Sequence, residues 1–268
     1  GLLLKTKPKH IISDNDYIIV LPTCLKDRVL KAAHDSVQSG GHMAFRKTAN
    51  KIWKSFFIPA GEIKRYVRSC LTCARLRPRH VSDRAEKQIP SLDGSFAAEF
   101  VVDVMGPSLK LSRRFGGYRY VIICVCRATR FVELIPVTSL KATAMADALL
   151  IHLIARYKCH TLIYDQQSAM MSGLMQSVLK ILRIHSQVAV SGLHLMSAIA
   201  ERMVRKVENI LKSYIFDYRA NWHLLLPFIA FNLNQTPCET LGLSPHELTY
   251  GRNFDDDLDD IYDELTGS

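Results

Sequence analysis

The sequence predicts an α/β chain in which a small helical, metal-stapled module precedes a mixed sheet flanked by helices. Three observations carry this. His34, His42, Cys70 and Cys73 stand at metal-ligand spacing in the first third of the chain. Three strand-like runs, Phe100 to Val104, Tyr118 to Cys126 and Phe131 to Pro136, follow one another through short connections, the pattern of an antiparallel meander. Beyond them helix and strand patterns alternate, the layer order of an α/β domain.

Residues 1–23 read as an extended lead-in, with a strand from Tyr17 to Leu21 that Pro22 ends. Leu25, Val29, Leu30 and Ala33 then recur at helical spacing up to His34. Ser36 to Gly41 is loop. Phe45, Ala49, Ile52, Trp53 and Phe56 mark a second helix, and Ile63, Tyr66, Val67 and Cys70 a third. So few short helices make a small core, which a metal staple would support. Residues 74–92 are basic, polar and broken by Pro78 and Pro90, as a linker is. After the meander, Ser139 is expected to cap a helix through Ala155, and Thr161 to Tyr164 forms a fourth strand. A helix over 173–182 and a strand over 184–188 follow. A long helix from about Ala198 to Tyr218 carries Met203, Val207, Ile210, Leu211 and Tyr214 on one face. Leu225, Phe228, Ile229 and Leu233 share a later helical face. Ser244-Pro245-His246-Glu247 is a capping box with proline at the first helical position. The acidic tail is expected to be disordered. The map is thus 1–23 lead-in, 24–80 zinc-binding domain, 81–92 linker, 93–218 core, 219–253 helical extension and 254–268 acidic tail.

Composition excludes some classes. The 268 residues are 48% hydrophobic and 22% charged, a globular balance with length enough for two domains. No apolar run nears the ~20 residues of a membrane helix, so no membrane partner is expected. Gly1 in place of an initiator Met points to a piece of a longer product. Seven cysteines, of which only Cys70 and Cys73 have ligand spacing, indicate a reducing compartment and one metal site rather than a disulfide framework. Of the net charge of +10, residues 1–90 carry 18 Lys/Arg against seven Asp/Glu, while 254–268 carry seven acids and no base. A basic front third suits a polyanion such as nucleic acid, or a solvated basic face.

Cys-x-x-Cys sets two thiolates on one tight turn, and two neutral imidazoles complete a tetrahedral zinc site. Four protein ligands leave no open position, so this zinc is structural. Cys124 and Cys126 share a strand face and read as buried thiols rather than as a second metal site.

The other constellation is acidic. Asp103 sits in the apolar run "VVDVMGP", where a carboxylate is costly unless paired or metal-bound. Asp165 ends the fourth strand. Glu201 follows it after 35 intervening residues, near the start of the long helix. Together the three acids could converge on two divalent cations, magnesium suiting such hard oxygen ligands. Singly they read as ordinary: a turn aspartate, or a first-turn helix acid.

With these residues in view, the chain resembles the integrases of Gypsy-type LTR retrotransposons from about Leu21 to Asn253. The carriers are the His-His-Cys-Cys set with "YVRSCLTCARLRP", the Asp103, Asp165 and Glu201 spacing, and "LGLSPHELTYGR" at 241–252. The resemblance implies an RNase H-like core, structural Zn2+, and Mg2+ or Mn2+ on Asp103, Asp165 and Glu201. It implies trimming of the 3′ ends of element DNA and their joining to target duplex DNA by a homo-multimer. It also implies action in the nucleus after a cytoplasmic particle stage. Arg205, one turn after Glu201, would touch nucleic acid near the metals, or be an exposed solvated arginine. The chain departs from the family pattern at several positions. Gln166-Gln167 replaces Asn-Gly, Met170 an aromatic, Ala198 a glycine, His194-Leu195 a Pro-Gln pair and Cys126 an aspartate. Two other readings stand beside an active integrase: a degenerate or host-adopted derivative serving as an interaction module, and an RNase H-like nuclease that cuts without joining.

Overall fold

A computed structural model describes residues 2–8, 16–76, 96–106, 117–165, 169–189, 194–218, 221–238 and 241–267. The linker at 81–92 and the Gln166-Gln167 turn lie outside these residues. The chain forms two compact units, Gly1–Ala85 with Phe231–Ser268, and Glu86–Ala230.

The first unit begins with β1 (Leu4–Thr6), antiparallel to β2 (Tyr17–Val20), which pairs in parallel with β3 (Phe56–Phe57). Four helices surround this sheet: α1 (Thr23–Asp35), α2 (Phe45–Ser55), α3 (Ala60–Ser69) and α4 (Leu71–Leu76). Phe56 falls at helical spacing after Ile52, yet it leaves the helix and pairs with Ile19 as a strand residue. It is still fully buried, so the apolar pattern held while the backbone conformation changed. Burial selects the residue type at that position, and the pairing partner selects the backbone.

The second unit is a five-stranded mixed sheet. The meander is β4 (Glu99–Met105), β5 (Tyr120–Cys126) and β6 (Val132–Val137), each antiparallel to the next. A helical run, α5 (Ala142–Leu149), a π-helical stretch over Leu150–Ile154 and α6 (Ala155–Tyr157), then leads to β7 (Thr161–Asp165), parallel to β4. Helix α7 (Gly173–Ile181), capped by Ser172, precedes β8 (His185–Ala189), parallel to β7. The strand order is β6-β5-β4-β7-β8. Ser139 is not the cap expected of it. Its Oγ accepts a bond from Lys141 N, and Lys141 is the cap residue of α5.

Strand alternation divides this sheet. Phe100, Val102, Ile122, Cys124, Cys126, Leu162 and Tyr164 face a core shared with Met145, Leu149, Met175 and Leu179. Cys124 and Cys126 are fully buried there as thiols. The opposite face meets α8 (His194–Tyr218), where Ala200 packs on Val101 and Ile163. Met203, Val207, Ile210, Leu211 and Tyr214 form the buried stripe expected of α8.

Three helices end the chain. Along α9 (Leu226–Gln235), Leu226, Ile229 and Leu233 are buried, but Phe228 is 48% exposed, so the apolar face runs through Leu226 instead. Helix α10 (Pro245–Tyr250) has the expected capping box, Ser244 Oγ accepting from Glu247 N at 3.0 Å and Glu247 Oε2 from Ser244 N at 2.7 Å. The acidic tail is not disordered. It forms α11 (Asp257–Thr266), with a second capping box from Asp256 and Asp259. Leu258 and Ile261 enter the same core as Val29, Leu30, Phe56 and Ile63, with Tyr262 and Leu265 packed against it. Acids in the first turn suit the helix dipole.

Candidate functional site

The zinc ligands meet in the first unit. His34 lies in the last turn of α1, Cys70 caps α3, and Cys73 is in α4. The ligand atoms of His34, His42, Cys70 and Cys73 all lie within 4.8 Å of one another. Cys73 Sγ is 3.3 Å from His34 Nε2 and 3.8 Å from His42 Nδ1, and Cys70 Sγ is 3.4 Å from His42 Nδ1. A tetrahedral zinc, with bonds of about 2.3 Å to sulfur and about 2.05 Å to nitrogen, sets each S···N edge at about 3.6 Å. The donors therefore fit Zn2+ in type, number and size.

Burial pushes the His34 imidazole down to about 4, helped by neighbouring His42 and opposed by Asp35 and the Met43 carbonyl. His42 is also pushed down by burial, against the pull of Asp35. Both rings are thus neutral near pH 7, as ligation requires. His34 Nδ1 stands 3.4 Å from Thr48 Oγ1, whose hydroxyl donates to Met43 O at 3.2 Å. Such a chain directs Nε2 to the metal. Tyr66 OH donates to Asp35 Oδ2 at 2.5 Å, and Asp35 Oδ1 is 3.8 Å from His42 Nδ1. Sequence reasoning missed Thr48 and Asp35. The available signals were a polar residue on the apolar face of α2, three positions after Phe45, and an acid beside a ligand histidine.

The loop between the histidines explains its glycine pair. Gly41 has φ +64°, a left-handed conformation that glycine adopts freely. A Cβ on Gly40 would lie 2.3 Å from the His34 carbonyl carbon. Gly40→Ala is expected to cost about 2 kcal/mol or more and to weaken zinc binding. Thermal melting and a chelator competition check this.

The three acids lie in the second unit. Asp103 and Asp165 each follow the last paired residues of their strands' shared register, Val102 and Tyr164. By alternation both fall on the face covered by α8, with Val101 and Ile163. Glu201 directly follows Ala200, the residue that packs on those two. Burial raises the Asp103 carboxyl, and the charges of Asp165 and Glu201 add to the rise, while the Val104 N–H at 2.7 Å opposes it. The acids gather less tightly than the zinc ligands. Among the described residues only the zinc set brings three or more ligand atoms within 4.8 Å. Glu201 and Arg205 are exposed. Helix α8 starts at His194, so Glu201 is its eighth residue and lies beyond the first turn, where the dipole acts. The ordinary first-turn reading of Glu201 is thereby corrected.

Residues 21–79 match the integrase zinc binding domain family. Over 240 residues the chain is 25% identical to the Retrovirus-related Pol polyprotein from transposon 412 of Drosophila melanogaster, covering 85% of this chain and 18% of that protein. It is 24% identical over 257 residues to the Pro-Pol polyprotein of Simian foamy virus type 3 (strain LK3), covering 94% of this chain and 21% of that one. The chain thus spans about a fifth of these relatives. Among solved structures it is similar to a chain of the simian T-cell lymphotropic virus intasome in complex with PP2A regulatory subunit B56 gamma. That similarity has a TM-score of 0.51 at 15% identity, covering 74% of this chain and 69% of that one. Fold and zinc centre place the chain by likeness: residues 21–79 match the integrase zinc binding domain family with all four ligands gathered, and the fold is similar to that of the intasome chain. Over most of its length the chain is integrase-like, similar to the retroelement Pol polyprotein of transposon 412.

Proposed function

We propose that the chain is a retrotransposon integrase, a metal-dependent polynucleotidyl transferase that trims the 3′ ends of element DNA and joins them to target DNA. The observation that supports this is that Asp103 and Asp165 fall on the sheet face covered by α8, the helix that carries Glu201, and that burial first, then the charges of Asp165 and Glu201, raise the Asp103 carboxyl. Such a field calls for cations, and carboxylate oxygens suit Mg2+ or Mn2+. When bound, the metals would activate a water or 3′-hydroxyl and stabilise the leaving oxygen of an in-line displacement. Asp103 and Asp165 would hold them from adjacent strands, and Glu201 from the helix across. The Val104 N–H fixes one oxygen of Asp103.

Exposed Lys64, Arg65, Arg68 and Arg75 on α3 and α4 suit phosphate contacts without sequence preference, and exposed Arg205 suits DNA near the acids. The intasome likeness supports a DNA-bound homo-multimer, and the reaction itself supports action in the nucleus after a cytoplasmic particle stage. The domain limits read from the sequence, 24–80 for the zinc-binding domain and 93–218 for the core, belong to the same proposal. No helix among the described residues is long and apolar enough to cross a membrane.

The Gln166-Gln167 pair after Asp165 favours a second reading, a derivative that binds without catalysis. Strand transfer and its reverse, disintegration, on labelled duplex oligonucleotides with Mn2+ separate the two. Activity in the parent that is lost in Asp165→Asn and Glu201→Gln is the expected result. An inactive parent with zinc bound and the fold intact would transfer the conclusion to the interaction module.

A further inference from the structure

The loop between the zinc histidines is held by residues that lie about two hundred positions later. Residues 35–41 separate His34 from His42, and the loop closes on itself through His42 N to His34 O at 2.8 Å and Gly41 N to Ser36 O at 2.7 Å. His42 itself has φ +48°, a left-handed conformation that costs a non-glycine residue about 1 kcal/mol or more. Something must hold it there, and the later segment supplies the contacts. Ser36 Oγ donates to Asp257 Oδ2, and Asp257 N donates to Ser39 Oγ at 3.1 Å, a reciprocal clasp between the loop and the start of α11. Asn232 Nδ2 donates to Val37 O at 3.3 Å. Its amide also lies against Gly41, where a Cβ would approach Nδ2 to 3.1 Å. Lys51 Nζ donates to Ser39 O and, at 3.4 Å, to Asn232 Oδ1. Thr236 Oγ1 donates to Asn232 O at 2.7 Å and reaches Met43 Sδ at 3.9 Å, one residue past the ligand. Asn232 is fully buried and Lys51 nearly so.

We infer that Asn232 and Asp257 are positioning residues for the zinc centre, acting through the inter-histidine loop, so that docking of α11 and zinc affinity are thermodynamically coupled. The coupling is reciprocal: whatever loosens α11 weakens zinc, and zinc tightens α11. The inference rests on the zinc centre alone and stands or falls independently of any catalysis in the second unit.

The test measures zinc affinity in the full chain by competition with a chromophoric chelator, together with the ligand-field spectrum of the Co2+-loaded protein. Asp257→Ala is expected to lose about tenfold in zinc affinity, the lower end for groups that orient ligands, and to alter the Co2+ bands. Asp257→Asn, which keeps an acceptor for Ser36, is expected to stay within about twofold of the parent. Ser36→Ala removes the same bond from the loop side, along with the bonds that Ser36 Oγ accepts from Gln38 N and Ser39 N, so Asp257→Ala should add little in that background. Ile18→Val, a deletion of about 1 kcal/mol at a fully buried residue outside the cluster that α11 enters, controls for lost stability and should leave zinc affinity unchanged. Unchanged affinity and spectrum in Asp257→Ala overturn the inference, as does an equal loss in Ile18→Val. Should Asp257→Ala fail to fold, Ser39→Ala decides, since it removes the acceptor of the Asp257 N–H: a loss of zinc affinity beyond that of Ile18→Val supports the inference, and parent-like affinity overturns it.

Discussion

Chelating the zinc is expected to unfold the unit that holds it, seen as loss of its helical signal and a melting transition at much lower temperature. The unit's core rests on four short helices, a three-stranded sheet and α11, and two of the helices end at zinc ligands. Structural zinc contributes on the order of 10 kcal/mol in small domains. A typical domain has only about 5–15 kcal/mol of net stability, so the metal term decides whether such a unit folds. Acid should act in the same direction. The folded-state pKa of His34 is pushed down to about 4, below the ~6.5 of an unfolded chain. A depressed histidine contributes stability that is complete above about pH 6.5 and is lost as pH falls toward about 4, where the unfolded state takes up a proton that the folded ring refuses. His42 shifts the same way. Zinc release followed with a metal-sensitive dye should therefore increase as pH falls, because a proton and the metal compete for the same ring nitrogen. Zinc retention independent of pH would contradict ligation by the two histidines.

Asp103→Asn should lose strand transfer by roughly a thousandfold or more, about 4 kcal/mol of transition-state stabilisation. The same substitution should raise the melting temperature of the metal-free protein by a few degrees. The sign follows from the raised proton affinity of Asp103. A carboxyl easier to protonate in the folded state than in the unfolded one destabilises the fold once pH rises above its unfolded value. Asparagine removes that charge and leaves Asp165 and Glu201 with less repulsion. Added Mn2+ should then stabilise the parent and not the variant. Melting curves with and without Mn2+, beside the strand-transfer assay, check both arms. A variant less stable than the metal-free parent would mean that Asp103 has a structural partner rather than a strained site.

Much of this protein is readable along the chain where partners are close in sequence. The capping box at Ser244, the buried stripe of α8 and the strands of the meander are local patterns, and each formed as expected. Readings that depended on distant partners went differently. The tail that forms α11 looked disordered because seven acids dominate residues 254–268. Its Leu258, Ile261, Tyr262 and Leu265 recur at helical spacing, however, and the core they enter is formed by residues of the chain's first quarter. Strand β3 is two residues long and exists because β2 lies beside it. The early start of α8 changes what Glu201 is, since an acid past the first turn owes nothing to the dipole.

By itself the sequence determined the zinc ligands, because ligand chemistry depends on residue type and on spacings set by one tight turn and one loop. It also marked Asp103 as anomalous, because a carboxylate inside an apolar strand is costly wherever that strand goes. Only the tertiary structure decided that Asp103 and Asp165 share a face, the one covered by the helix that carries Glu201. Which side of a sheet a residue occupies depends on parallel register between strands some sixty positions apart, and a one-residue slip would have sent either aspartate to the opposite side. Only the tertiary structure, too, set Asp257 against the zinc loop, since no local pattern links a tail carboxylate to a serine near the start of the chain.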